Sequence, residues 1–202
     1  MGATKIKLCG MFRPEDIAAV NAARPDFCGF VVDCPRSKRN VSPERAAGLA
    51  SGLDRGIQAV GVFVDEPVDV VARLAKSSLS VIQLHGHEDE EYIRKLRSLV
   101  DVPIWKAFKV GGAEDLAAAK KSAADRVLLD SGAGSGKTFD WTLLADAGRP
   151  YVLAGGLGPE NVASAVERLH PWAVDMSSGI ETDGVKDSAK MRAAVAAVRS
   201  AA

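Results

Sequence analysis

Two side chains of this chain could carry protons to and from one substrate. They are the Cys9 thiol and the Asp130 carboxyl, and each closes a short β-branched run, Lys5–Cys9 and Arg126–Asp130. A thiol and a carboxyl facing one reacting molecule suit general base and general acid roles. Taken singly, neither is diagnostic. A free cysteine is commonly a small buried apolar group, and an aspartate ahead of a glycine loop is commonly its cap.

Around this pair lie groups suited to anions. Arg39 has the planar fork that matches a carboxylate, although the run Arg36, Lys38, Arg39 also reads as a solvated basic patch. Gly155-Gly156 lets backbone N–H groups approach a ligand. Pro159 is expected to open a helix whose N-terminus favours negative charge. Ser177, Ser178 and Gly179 add hydroxyls and amides. Both loops together suit a phosphate. The string Gly134-Ser135-Gly136-Lys137-Thr138 invites a P-loop reading, but the position five residues before Gly136 is Ser131 rather than glycine. It reads better as a lid whose amides and Lys137 reach a phosphate. His85 and His87 flank Gly86, and the remaining histidine, His170, falls at a predicted helix end. No third ligand joins the pair, so no metal is expected.

The elements that must position these groups repeat along the chain. Predicted strands are Lys5–Cys9, Phe27–Val32, Gln58–Val64, Val81–Leu84, Val102–Ala107, Arg126–Asp130, Tyr151–Ala154 and Ala173–Ser177. Most are continuous apolar runs, as in parallel strands buried on both faces. Amphipathic, alanine-rich stretches fall between them: Pro14–Ala23, one opened by Ser42-Pro43-Glu44, Pro67–Lys76, Asp89–Arg97, Ala113–Lys121, Pro159–Leu169 and Asp187–Arg199. Pro and acidic residues in the first turn mark several of these starts. A turn or two of helix is expected after Trp141. Alternation of this kind implies a parallel sheet with right-handed crossovers. Eight units can close into a single (β/α)8 TIM barrel over residues 1–202, with an open doubly wound sheet as the alternative. In the barrel, chemistry belongs where strands end, which is where Cys9, Asp130 and the glycine loops fall.

Composition narrows the function classes. The 202 residues are 47% hydrophobic and 26% charged, as in an ordinary globular domain. Lys plus Arg equals Asp plus Glu, 26 each. That balance argues against a broad basic face for nucleic acid. No run of about 18 apolar residues suggests a membrane span. The opening residues lack the apolar core of a signal peptide. Three cysteines without a paired pattern, Cys9, Cys28 and Cys34, suggest reduced thiols and a cytoplasmic protein.

The motifs then become specific. Lys7-Leu8-Cys9-Gly10 resembles the start of the phosphoribosylanthranilate isomerases of tryptophan biosynthesis. The agreement continues through Ser37-Lys38-Arg39, Val60-Gly61-Val62-Phe63-Val64, Gln83-Leu84-His85-Gly86 and Leu129-Asp130-Ser131. Gly134 to Trp141, Gly155-Gly156-Leu157, Val174-Asp175 and Ser177-Ser178-Gly179 with Glu181 complete it, over essentially the whole chain. The resemblance implies a monofunctional (β/α)8 enzyme, monomeric or homodimeric, that uses no cofactor. It implies an Amadori rearrangement of N-(5-phospho-β-D-ribosyl)anthranilate to 1-(o-carboxyphenylamino)-1-deoxyribulose 5-phosphate. Carried over residue by residue, Asp130 is the acid that opens the ribose ring and Cys9 the base that takes the C2 proton. Arg39 holds the anthranilate carboxylate. Gly136, Gly155, Gly156, Ser178 and Gly179 hold the phosphate, Asp175 contacts the sugar and His85 lines the pocket. Met11-Phe12-Arg13, Asp33-Cys34 and Asn40 depart from the usual pattern, all in the first two strand–helix loops. Two rivals remain at this point. One is the histidine-pathway isomerase of the same fold, whose base at the end of the first strand is an aspartate. The other is a non-catalytic phosphosugar-binding module, which would need neither Cys9 nor Asp130.

Overall fold

A computed structural model of the protein describes residues 3–130, 144 and 147–201. Its strands are β1 (Lys5–Cys9), β2 (Phe27–Val32), β3 (Asn40–Val41), β4 (Gln58–Phe63), β5 (Val81–Leu84), β6 (Ile104–Lys109), β7 (Arg126–Asp130), β8 (Tyr151–Ala154), β9 (Ala173–Met176), β10 (Glu181–Thr182) and β11 (Val185–Lys186). The helices among the described residues are α1 (Pro14–Ala23), α2 (Pro43–Ser51), α3 (Val68–Ser78), α4 (Glu90–Arg97), α5 (Ala113–Lys121), α6 (Val162–Leu169) and α7 (Ser188–Ala201). The helical turn expected after Trp141 falls largely outside the described residues.

The sheet closes. Its order is β1-β9-β8-β7-β6-β5-β4-β2, and β1 also pairs with β2, so each of these eight parallel strands has a neighbour on both sides. The (β/α)8 barrel is therefore the observed fold, and the open sheet is not. β3 pairs in parallel with the end of β2, Val31 opposite Asn40 and Val32 opposite Val41.

Closure sorts side chains by the period-two alternation of a strand. On β1, Ile6 and Leu8 pack outward into the layer shared with the helices. Lys7 and Cys9 point inward. On β7, Val127 and Leu129 face the helices while Leu128 belongs to the inner cluster. The inner cluster of Phe27, Val60, Val81, Trp105, Leu128, Val152, Ala154 and Ala173 fills the barrel. At its floor Phe27 and Trp105 meet edge-to-face with centroids 5.0 Å apart, and Trp172 meets Trp105 at 5.6 Å. Arg126 and Lys5 lie over the Trp172 ring at 4.7 and 5.1 Å. These aromatics plug the end of the barrel remote from the strand termini, so ligand access is left to the other end.

Two local differences from the sequence reading have plain causes. β6 starts at Ile104 rather than Val102 and runs on to Lys109. Pro103 has no N–H to give to a ladder, and the Asp125 carboxylate accepts the Ile104 N–H at 2.7 Å, which sets the first strand residue. α6 begins at Val162 rather than Pro159. The Asn161 side chain accepts from Gly158 N–H at 2.9 Å and donates to the Gly156 carbonyl at 2.9 Å. The Gly158 carbonyl also accepts from the Asn161 and Val162 N–H groups at 3.2 and 3.0 Å, and these bonds together close residues 159–161 into a turn ahead of the helix. At α2 the cap is as read. Ser42 Oγ accepts from Arg45 N–H at 3.3 Å, and Pro43 is the first residue of α2.

Candidate active site

The strand termini open on a cavity of about 1100 Å³. Cys9, Arg39, His85, Asp130, Gly155, Gly156, Asp175 and Ser178 all line it, as do Gln83, Lys109 and Ser177. Thus eight of the ten residues singled out from the sequence meet around one space. Gly179 stands just behind the lining, in a 3-10 turn over Ser178–Ile180. It is pressed against the Leu157 carbonyl so closely that a Cβ there would overlap it. Gly136 lies outside the described residues.

Cys9 is the last residue of β1 and is only 7% exposed. Burial pushes its thiol up, because the thiolate loses water, while the Lys7 ammonium beside it pulls the other way. Lys7 is fully buried, two residues earlier on the same face of the strand. Its Nζ donates to both Asp175 oxygens at 3.0 Å. Burial works against the Lys7 charge, yet Asp175 and Cys9 together outweigh it and leave the ammonium held above its ordinary range. Beside this group, on the neighbouring strand, lies Gly29, the register partner of Cys9, whose missing Cβ makes room: a Cβ there would stand 2.7 Å from Cys9 Sγ and 3.0 Å from Lys7 Nζ. A lysine two residues before the thiol, and so on the same face of the strand, was the available signal for Lys7, and sequence reasoning passed over it.

Asp130 ends β7, with two strands between it and β1. Its Oδ2 is 4.0 Å from His85 Nε2. On the other side of the ring, Gln83 Nε2 stands 3.0 Å from His85 Nδ1. The hydrogen bond to the Gln83 amide orients the ring, so that Nε2 faces Asp130. Burial also lowers the imidazole's basicity, with Asp130 opposing it, so the ring is held toward its neutral form.

Across the mouth, Gly155 and Gly156 adopt positive φ of 99° and 62°. Side chains seldom tolerate that conformation. The chain can therefore turn back toward the cavity immediately after β8. The Ser178 turn stands beside it, and together they form the face suited to an oxyanion. The helix N-terminus expected to help there is displaced by the Asn161 turn.

Arg39 lies on the β3 approach, with its guanidinium bound on one edge. Nε and Nη2 donate to the two Glu181 oxygens at 2.6 and 2.7 Å. Lys186 Nζ lies 2.6 Å from the same carboxylate and also donates to the Ser177 carbonyl at 2.9 Å. Burial would raise the Glu181 carboxyl, but Arg39 and Lys186 dominate and bring it down to about 2. Glu181 was part of a sequence motif, but its partner was not legible. The depressed value has a consequence for stability. The group contributes above the ordinary carboxylate range near 4.5, and the contribution is lost as pH falls toward about 2. The Tm gap between wild type and Glu181→Gln is therefore expected to narrow steadily from pH 5 to pH 2.5. A gap independent of pH in thermal denaturation would contradict this pairing.

Among the described residues, no group of three or more His, Cys, Asp or Glu side chains is placed to hold a metal ion. No helix among them is long and apolar enough to cross a membrane.

Comparison with known proteins follows the same lines. Residues 6–197 match the family model described as N-(5'phosphoribosyl)anthranilate (PRA) isomerase. A curated relative from Endomicrobium trichonymphae, named N-(5'-phosphoribosyl)anthranilate isomerase, is 44% identical over 202 residues, covering 97% of this chain and 98% of its own. The crystal structure of phosphoribosyl anthranilate isomerase from Thermotoga maritima superposes with a TM-score of 0.88 at 36% identity, covering 98% of this chain and 99% of that one. A phosphoribosyl anthranilate isomerase crystallised with reduced 1-(o-carboxyphenylamino)-1-deoxyribulose 5-phosphate superposes with a TM-score of 0.86 at 35% identity, with the same coverage. A barrel closed over one cavity, a thiol and a carboxyl at its strand ends and agreement along nearly the whole length lead to one assignment: this chain belongs to the N-(5'-phosphoribosyl)anthranilate isomerase family.

Proposed function

We propose that this chain catalyses the Amadori rearrangement of N-(5-phospho-β-D-ribosyl)anthranilate to 1-(o-carboxyphenylamino)-1-deoxyribulose 5-phosphate in tryptophan biosynthesis. The observation that carries the reading is the lining of a single cavity by Cys9, Asp130, Arg39 and the Gly155–Gly156 and Ser178 loops. The scheme moves protons only, and so asks for no electron carrier. Asp130 gives its proton to the furanose oxygen as the C1–O bond breaks, leaving a Schiff base between C1 and the anthranilate nitrogen. The Cys9 thiolate takes the proton from C2, whose electrons form the enolamine. The enol then tautomerises, C1 gaining a proton as the C2 hydroxyl becomes a ketone.

The remaining groups bind and orient. Arg39 pairs with the ring carboxylate. Backbone and hydroxyl donors at Gly155, Gly156, Ser178 and Gly179 surround the phosphate. Holding the phosphate and the carboxylate at two places fixes C2 over the thiol, which is the positional share of catalysis. Asp175, turned toward Lys7, also borders the sugar's position, and His85 borders Asp130. The chain acts as a single barrel in the cytoplasm, as a monomer or a homodimer. The histidine-pathway alternative is disfavoured by Cys9 in the place of an aspartate.

The test is direct. Freshly made phosphoribosylanthranilate loses its fluorescence when purified protein is added, and the product co-elutes with authentic 1-(o-carboxyphenylamino)-1-deoxyribulose 5-phosphate. Folded protein that leaves the fluorescence unchanged, but turns over the phosphoribosyl aminoimidazole substrate of the rival, would reverse the assignment.

A further inference from the structure

The reading above makes Arg39 a carboxylate clamp, yet in this structure the guanidinium already holds a carboxylate. Which edge it holds decides what is left. Glu181 occupies the Nε–Nη2 edge through two bonds of 2.6 and 2.7 Å. A guanidinium has five N–H groups. The three remaining, at the Nη1–Nη2 end, have no partner among the described residues, and Arg39 borders the cavity. A second carboxylate can therefore bind end-on while the first stays in place.

Electrostatics permits it only because of a third residue. Glu181 alone would cancel the charge of Arg39 and repel an incoming anion. The Lys186 ammonium, fully buried, lies 2.6 Å from Glu181. One arginine, one lysine and one glutamate leave the cluster with a net charge of +1. Lys186 and Glu181 are also directly opposite in the β10–β11 hairpin. That hairpin turns through Asp183 and Gly184, both at positive φ, 53° and 77°. A two-residue Asp-Gly turn of that hand matches the twist of its strands. Lys190 Nζ donates to the Glu181 carbonyl at 2.6 Å, anchoring the hairpin on α7. On the other flank, the Arg39 stem lies over Gly10, where a Cβ would overlap it. The guanidinium is thus held from its stem and from one edge.

We propose that Glu181, neutralised by Lys186 and carried on the β10–β11 hairpin, is the positioning residue that turns the free end of Arg39 into the cavity and thereby sets preference for a substrate whose aromatic ring bears a carboxylate. The proposal rests on the isomerase reading and adds a residue to it. It places the specificity device in a short hairpin after β9 rather than in Arg39 alone.

Two competitive inhibitors separate the contributions. One is reduced 1-(o-carboxyphenylamino)-1-deoxyribulose 5-phosphate. The other is the same compound with a plain phenyl ring. In wild type the carboxylate is expected to tighten binding on the order of tenfold or more, as charge-assisted hydrogen bonds do. In Glu181→Gln that preference falls to about twofold, while the phenyl compound binds within about threefold of wild type. KM for phosphoribosylanthranilate rises correspondingly, and kcat falls by a smaller factor. Because Glu181→Gln leaves Lys186 buried beside a neutral amide, the double variant Glu181→Gln, Lys186→Met is measured beside it. It must show the same loss of preference. Full preference retained in either folded variant overturns the proposal, and so does equal weakening of both inhibitors, which marks general disruption. A wild type that does not distinguish the inhibitors overturns the carboxylate role of Arg39 itself, and the inference with it. Loss of preference confined to the variants supports both.

Discussion

Cys9→Ala is expected to lower kcat by about 10²–10⁴-fold, the range for removal of a positioned acid or base. The loss belongs in kcat, because the thiol takes the C2 proton and contributes little to holding phosphate or carboxylate. The variant is expected to fold. It removes one small buried atom, and Lys7 keeps both of its 3.0 Å bonds to Asp175, so no buried charge is orphaned. Binding of reduced 1-(o-carboxyphenylamino)-1-deoxyribulose 5-phosphate should stay within a few-fold of wild type. The pH profile of the wild type carries the same signature. Burial raises the Cys9 thiol and Lys7 only partly opposes it. The thiolate fraction therefore grows as pH rises, and kcat/KM should climb on the alkaline side of neutrality. Stopped assays across pH 6–9, with the variant beside the wild type, check both points. Turnover by Cys9→Ala within tenfold of wild type would remove the thiol from the reaction.

Asp130→Asn is expected to cost a similar factor, about 10²–10⁴ in kcat. The amide has nearly the same shape and still fits the end of β7 beside His85, but it cannot hand a proton to the ring oxygen. Circular dichroism and inhibitor affinity should therefore stay near wild type while turnover collapses. The two variants also test whether the groups act on one path. If ring opening and C2 deprotonation are consecutive, the double variant loses about what the worse single variant loses, not the product of both. A product of the two factors would mean that the residues act independently, and near-normal turnover in Asp130→Asn would need another acid. His85 is the structure's nearest candidate for that, since its Nε2 faces the same position at 4.0 Å.

The neighbours of these two groups explain why a buried thiol can serve as a base. Cys9 sits with a lysine, a carboxylate and a glycine, inside a barrel whose floor is sealed by Phe27, Trp105 and Trp172. Charges kept from water interact more strongly than exposed ones. The cost of burying Lys7 is offset by its two bonds to Asp175 and by the partial negative charge at sulfur. The same logic recurs at the rim, where Lys186 and Arg39 share Glu181. In both places a carboxylate holds a cation that faces a functional group.

Much of the scaffold was legible in the amino acids themselves. Apolar runs at a strand's length, separated by helices with Pro and acidic first turns, specify alternation, and eight units favour closure over an open sheet. These signals are local: each depends on residues a few positions apart, so one-dimensional reading reaches them. Strand ends then locate Cys9, Asp130, Gly155 and Ser178, because the fold puts ligands at that end. What tertiary structure alone decided are the relations between distant residues. Lys7 meets Asp175 across 168 positions, and Arg39 meets Glu181 across 142. Neither spacing carries a period or a motif that would announce the pair. The start of α6 was missed for a different reason, a local one: the Asn161 side chain bonds back to Gly156 and Gly158 and holds a turn where the proline suggested a helix start. Sequence alone determined which chemistry this protein has the residues for. Only closure of the barrel decided which charges face each other, because partners in a barrel are set by which strands become neighbours, not by how far apart they lie in the chain.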